Sequence, residues 1–299
     1  MIDICEVGPR DGLQNEPIHL TVDDRVELIK KMIRSGLRHI EAVSFVNAKV
    51  VPQMAYAEEV MARIPRVEGV RYAGLVLSSR GMDRALECDL DDIHVVLAAS
   101  STFNLKNARR TMLESLNELA PLVERAKQND RRVNAVIGTS FGCPFEGVVP
   151  LDNILSVSKE FITRGADMIT LADTTGIANP LQVRQYVRTF QNTFPDVPLA
   201  LHFHNTRGLG LANVFAGFIE GVQRFDSSVG GIGGCPFAPL SVGNVSTEDM
   251  IHMFEAMGVE TGVDLDELIL SAKWLEEKMG HRLSGYVMKA GKASDLAMA

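Results

Sequence analysis

The sequence predicts a (β/α)₈ barrel, and three observations carry that prediction. Short β-rich runs alternate with amphipathic helical stretches eight times over ~260 residues, the count and size of that fold. Most of these runs are nearly continuous apolar and bounded by polar or glycine residues, as strands covered on both faces should be. The turn after the first run, Gly8-Pro9-Arg10-Asp11-Gly12, is not a glycine-rich nucleotide loop. That counts against the competing architecture, an open doubly wound sheet.

The strands are expected at 2–7, 38–44, 71–77, 92–98, 132–139, 167–172, 198–204 and 225–230. Thr21-Val22-Asp23-Asp24 starts a helix that runs to Ser35, with Gly36 as its C-cap. Pro150-Leu151-Asp152 starts another, which ends at Arg164-Gly165. Pro180 falls in the first turn of the sixth helix, where a missing N–H costs little. Met250, Met253 and Met257 recur at helical spacing and read as core. A further helix, about 264–279, extends past the eighth unit. No linker, repeat or low-complexity segment divides the chain, so 1–299 reads as one domain.

The 299 residues are 46% hydrophobic, ample for a full core. The net charge of −8 lacks the basic excess of a nucleic-acid binder. Arg109-Arg110 and Arg131-Arg132 read first as solvated surface. Cys5, Cys88, Cys143 and Cys235 are far apart, with no C-x-x-C pair. A disulfide framework or zinc knuckle is therefore not expected, and a reducing compartment fits. Met1 runs straight into the first strand with no signal or transit segment, and no apolar run approaches the ~18 residues of a membrane span. A cytoplasmic protein is the expectation.

In a barrel, chemistry gathers where the strands end and the βα loops begin. Arg10 and Asp11 follow strand one, Glu41 lies in strand two, and Asp173 ends strand six. His202 and His204 end strand seven, and Cys235 and Asn244 lie in the loop after strand eight. The two histidines are two apart on a strand, so they share a face, about 6.6 Å apart at Cα. That suits two ligands of one ion; the alternative is a pair of buried histidines bonded to neighbouring strands. With Asp11 and Asn244 the donor set is mixed nitrogen and oxygen, which by itself does not choose among Mg²⁺, Mn²⁺, Zn²⁺ and Fe²⁺. Arg10 presents a permanent planar charge, with a salt bridge to Glu41 or Asp11 as its structural role. Glu41 and Asp173 are expected to orient Arg10 and the histidines rather than react. Cys235, in Gly233-Gly234-Cys235-Pro236, reads as a thiol on a mobile lid, able to act as acid or base, or else as a small buried hydrophobe. Cys143 reads as structural at the end of strand five, and Cys5 and Cys88 as core.

These residues carry a resemblance to the 3-hydroxy-3-methylglutaryl-CoA lyases that spans nearly the whole chain. It rests on 6–16, 41–46, 51–54, 142–147, Asp173-Thr174, 202–206 and 227–249. The last stretch, which fixes the cysteine-to-asparagine interval, is the most specific. The wider group of isopropylmalate and homocitrate synthases and some aldolases shares the Arg-Asp-Gly turn and the His-x-His strand. The resemblance implies a TIM barrel and an Mg²⁺ or Mn²⁺ ion on Asp11, His202, His204 and Asn244. It implies Arg10 and Cys235 in catalysis, with His202 or Cys235 as the base. It further implies an acyl-CoA substrate cleaved to acetyl-CoA and acetoacetate, a place in leucine degradation, and a homodimer or larger assembly. Some positions depart from the family pattern. Asn205 and Arg207 replace an Asp and an aromatic, Pro17 replaces a lysine, and Pro239-Leu240-Ser241-Val242 replaces a glycine-containing stretch. They leave the metal set intact and open the acyl group to a different branch.

Overall fold

The computed structural model describes residues 1–234 and 243–298. Eight parallel strands close on themselves in sequence order. They are β1 Asp3–Glu6, β2 His39–Ser44, β3 Arg71–Leu75, β4 Asp92–Ala98, β5 Arg132–Gly138, β6 Met168–Asp173, β7 Leu199–Phe203 and β8 Arg224–Ser227. Closure comes from β1 pairing with β8, Asp3 opposite Arg224 through Glu6 opposite Ser227. The expected (β/α)₈ architecture is the observed one.

Around the strands lie α1 Val22–Arg34, α2 Ala57–Arg63, α3 Ser79–Leu86, α4 Ser101–Ala108, α5 Met112–Gln128, α6 Leu151–Thr163, α7 Pro180–Thr193 and α8 Gly210–Ile219. Then come α9 Thr247–Ala256, α10 Leu265–Met279 and α11 Val287–Ala290. The local signals acted as the sequence suggested. Thr21 caps α1 by accepting the Asp24 N–H, Pro150 precedes α6, and Pro180 opens α7. Of the methionine trio on α9, Met250 is buried, but Met257 follows the helix and is exposed.

The last strand differs from expectation, ending at Ser227 instead of 230. Gly230 and Gly231 both adopt φ of +68°, which breaks the extended chain just beyond it. Arg224 joins the strand although it is charged, because Asp3 lies beside it at the barrel floor.

The apolar core lies between strands and helices, where Ile29, Met32, Ile40, Phe161 and Phe190 are fully enclosed. The lumen is different. Barrel interiors are usually filled with branched aliphatic layers. Here Glu41 of β2 reaches His94 of β4 at 2.8 Å, passing over β3, so both side chains point inward. Thr170 donates to Asn134 at 2.9 Å within the same buried interior. This polar lumen is the floor of the site.

Candidate active site

The β1 turn is one wide helical turn, Gly8–Gly12, closed by the Gly12 N–H on the Val7 carbonyl at 3.1 Å. Such five-residue turns are rare and recur at functional sites. This one sets Arg10 and Asp11 side by side over the strand ends. Glu6 anchors it from below: Oε1 accepts from the N–H groups of Gly8 and Val229, and Oε2 from the Thr247 hydroxyl. Burial pushes the Glu6 carboxyl up to about 7 in spite of these donors. Gly12 is needed for space: a Cβ there would stand 2.6 Å from Ile232 Cγ1, forcing the turn off the loop after β8.

The two imidazoles approach with ring centroids 5.1 Å apart. His202 is the penultimate residue of β7, and His204 lies just past its end. Asn244 arrives by a route the sequence does not display. The chain at 243–246 runs back along the end of β7, with Asn205 N–H on Gly243 O and Val245 N–H on Phe203 O. An isolated antiparallel bridge then sets Asn244 opposite His204. The Asn244 amide donates to Asp11 Oδ2 at 2.9 Å and to the Ile232 carbonyl. Gly233, at φ +105°, makes room for it: a Cβ there would meet Asn244 Nδ2 at 2.7 Å.

One ligand atom each from Asp11, His202 and His204 fall within 4.8 Å of one another, a grouping able to hold a metal ion. Asn244 Oδ1 is buried and without a hydrogen-bond partner among the described residues, which leaves a neutral oxygen donor open beside them. One carboxylate, two imidazoles and an amide oxygen suit a divalent cation. His202 Nδ1 lies 3.3 Å from Asp226, the carboxylate–histidine pairing that orients metal-binding imidazoles. Burial by itself would lower the His202 pKa, but the Asp226 bond and the charges of Asp11 and Asp226 raise it. Burial likewise would raise Asp11; Arg10, both imidazoles and the Asn244 bond instead hold it well below the usual carboxylate range.

Arg10 forms both salt bridges considered from the sequence. Nη1 meets Asp11 at 2.7 Å, and Nε and Nη2 meet Glu41 Oε2 at 2.6 Å each. Burial opposes its charge, but the two carboxylates prevail and keep it cationic. Glu41 is also held ionised: burial would raise its pKa, and Arg10 and His94 bring it down. Asp173 sits elsewhere in the polar web. Its oxygens accept from the N–H groups of Ile177 and Ala178, so the side chain folds the loop after β6. It touches the histidine strand through its backbone, whose carbonyl accepts from His204 N–H at 3.4 Å. The expected side-chain bond from Asp173 to Arg10 or a histidine is therefore replaced by loop bonds. Burial leaves this carboxyl raised to about 6.

Arg10, Asp11, Glu41, His202, His204 and Asn244 thus converge at one rim. Cys235 lies outside the described residues, although the carbonyl of Gly234 before it is bonded by Asn15 Nδ2. Cys143 lies five residues past β5, in a loop, and accepts the Ser100 hydroxyl at 2.9 Å. Sequence reasoning passed over His94, Asp226 and Glu6. The usable signal was that each is an ionisable residue inside a nearly apolar strand run. At the edge of the site, Arg207 donates to the carbonyls of Thr175 and Gly176, bracing the loop after β6.

A family model described as HMGL-like matches residues 1–274. The chain is 41% identical over 293 residues to hydroxymethylglutaryl-CoA lyase YngG of Bacillus subtilis, covering 98% of each. It is 42% identical over 301 residues to (R)-citramalyl-CoA lyase of Chloroflexus aurantiacus, covering 97% of this chain and 95% of the relative. Among solved structures, an HMG-CoA lyase from Acenitobacter baumannii in complex with coenzyme A and 3-methylmalate superposes with a TM-score of 0.95. It is 41% identical, and the match covers 100% of this chain and 98% of that one.

Proposed function

The chain belongs to the HMGL-like family and is a carbon–carbon lyase; from that premise we propose that it cleaves 3-hydroxy-3-methylglutaryl-CoA to acetyl-CoA and acetoacetate. The observation that carries this reading is the convergence of Asp11, His202, His204 and the open Asn244 oxygen beside the Arg10 guanidinium. Those four residues would hold the cation, and the family resemblance favours Mg²⁺ or Mn²⁺ as that ion. When bound, the ion supplies Lewis acidity toward the C3 oxygen.

The chain's own groups carry the rest. His202 spends Nδ1 on Asp226 and has Nε2 left for the ion, which favours Cys235 of the two expected bases for the C3 hydroxyl, acting as the thiolate. Loss of that proton drives the C2–C3 electrons onto the thioester, giving acetoacetate and the enolate of acetyl-CoA. Arg10 donates to the enolate oxygen, a role worth ~3–4 kcal/mol in comparable oxyanion sites. The proton on Cys235 then returns to C2, which completes acetyl-CoA and restores the thiolate. Glu41 holds Arg10 at the rim, and Asp173 shapes the loop beside it.

A second substrate reading rests on the 42% identity to (R)-citramalyl-CoA lyase. Citramalyl-CoA is also a branched 3-hydroxyacyl-CoA, and the same bond cleavage would release pyruvate. We also propose a single working domain over 1–299, a cytoplasmic homodimer or larger homo-oligomer, and a place in leucine degradation. No helix among the described residues is long and apolar enough to cross a membrane. The deciding assay follows acetyl-CoA release from a panel of 3-hydroxyacyl-CoA thioesters, with and without chelator. Chelator-sensitive acetoacetate formation supports the first reading, and pyruvate alone the second. Release from none of the panel contradicts both.

A further inference from the structure

Glu41 divides its two oxygens between different partners. Oε2 accepts from Arg10 Nε and is also the oxygen in ion-pair contact with Nη2, while Oε1 lies 2.8 Å from His94 Nδ1. All three side chains are buried. The strongest arginine–carboxylate arrangement is two-pronged, with each oxygen on its own N–H. Here that arrangement is denied, because the second oxygen is committed to the opposite wall of the barrel.

We infer that His94 is a positioning residue for Arg10: by holding Glu41 Oε1, it stops Glu41 from closing a two-pronged clamp on the guanidinium and drawing it down into the lumen. The ionised Glu41 carboxylate can only accept, so His94 Nδ1 carries the proton that it shares with Oε1. Nε2 is buried and without a partner among the described residues. Arg10 in turn keeps Nη1 on Asp11, so its fork spans the rim between the two carboxylates. Small displacements of such a group are costly, because an oxyanion donor acts only at the position where charge develops.

This inference rests on the role of Arg10 proposed above, and its test separates the two. The Mn²⁺-loaded full chain is assayed as wild type, His94→Leu, His94→Asn, Arg10→Gln, Glu41→Gln and the His94→Leu/Glu41→Gln double variant. The expected result is a kcat about tenfold or more lower in His94→Leu, with KM and Mn²⁺ affinity within about twofold of wild type. His94→Asn, whose amide N–H superposes on Nδ1–H, recovers most of the loss. In the double variant, His94→Leu adds little to the cost of Glu41→Gln, because the two act as one unit. Should His94→Leu fail to fold, His94→Gln, whose amide reaches past that point, takes its place against His94→Asn. Normal turnover in His94→Leu beside an impaired Arg10→Gln overturns this inference alone, as do equal losses in the Leu and Asn variants or full additivity in the double variant. Normal turnover in Arg10→Gln overturns the functional reading beneath it.

Discussion

Both ends of the barrel are rich in charge, and they use it differently. At the N-terminal floor carboxylates and cations pair across neighbouring strands: Asp3 faces His39 and Arg224, and Asp92 faces Arg71 and Arg132. At the C-terminal rim, Asp11 collects Arg10, His204 and the Asn244 amide, yet the Asn244 oxygen is left unmatched among the described residues. Neutralised pairs across neighbouring strands tie a barrel shut. A cluster that points several donors at one place and leaves one open is built to receive something. The distinction agrees with the general division of labour in this fold, where the strand C-termini carry chemistry and the opposite face carries stability.

That contrast can be tested by mutating each end. The largest effect belongs to Arg10→Gln at the rim. It should lower kcat by about 10²–10³-fold, the scale of a lost oxyanion donor, while Mn²⁺ still binds. Steady-state kinetics beside calorimetric Mn²⁺ titration checks both halves. Next is Asp226→Asn, which removes the carboxylate behind His202 and should weaken Mn²⁺ by about 10–100-fold. An unchanged affinity would remove Asp226 from the support of the site.

At the floor the expectation reverses. Asp92→Asn should cost about 1–3 kcal/mol of stability in denaturant unfolding, with kcat within about twofold of wild type. A large kcat loss there would erase the distinction between the two ends.

The smallest effect concerns the wall that supports the rim. Glu248 accepts the Gly230 N–H and is otherwise enclosed, and burial pushes its carboxyl up to about 8. The folded protein keeps this proton where the unfolded chain, titrating near 4.5, has lost it. The stability it contributes is complete below that lower value and is lost as pH rises through about 8. Glu6, raised to about 7, acts in the same direction. Glu248→Gln should therefore melt a few degrees above wild type at pH 8.5 and level with it at pH 5. Thermal scans at both pH values check this, and an identical difference at each would contradict it.

Much of this architecture was legible before any coordinates. Strands such as Val133-Asn134-Ala135-Val136-Ile137 are covered on both faces and so read as nearly unbroken apolar runs. The rim residues Arg10, Asp11, His202 and His204 were legible because each falls where a strand gives way to a loop. Three features were not. Asn244 was named as a ligand from the sequence but its route was not: it reaches His204 because the chain doubles back beside β7, a return that residue spacing cannot show. His94 and Glu41 are two strands apart, and their contact depends on barrel curvature and stagger, which no linear pattern displays. Asp173 looked like a partner of the histidines, but its loop offered two backbone N–H groups nearer to hand.

The most direct test of the central claim is Mn²⁺ binding followed by electron paramagnetic resonance on chelator-stripped protein, wild type against Asp11→Asn. One tight site per chain is expected in the wild type, and its loss in the variant, with the fold retained. Equal Mn²⁺ binding by both proteins, or none by the wild type, would contradict it.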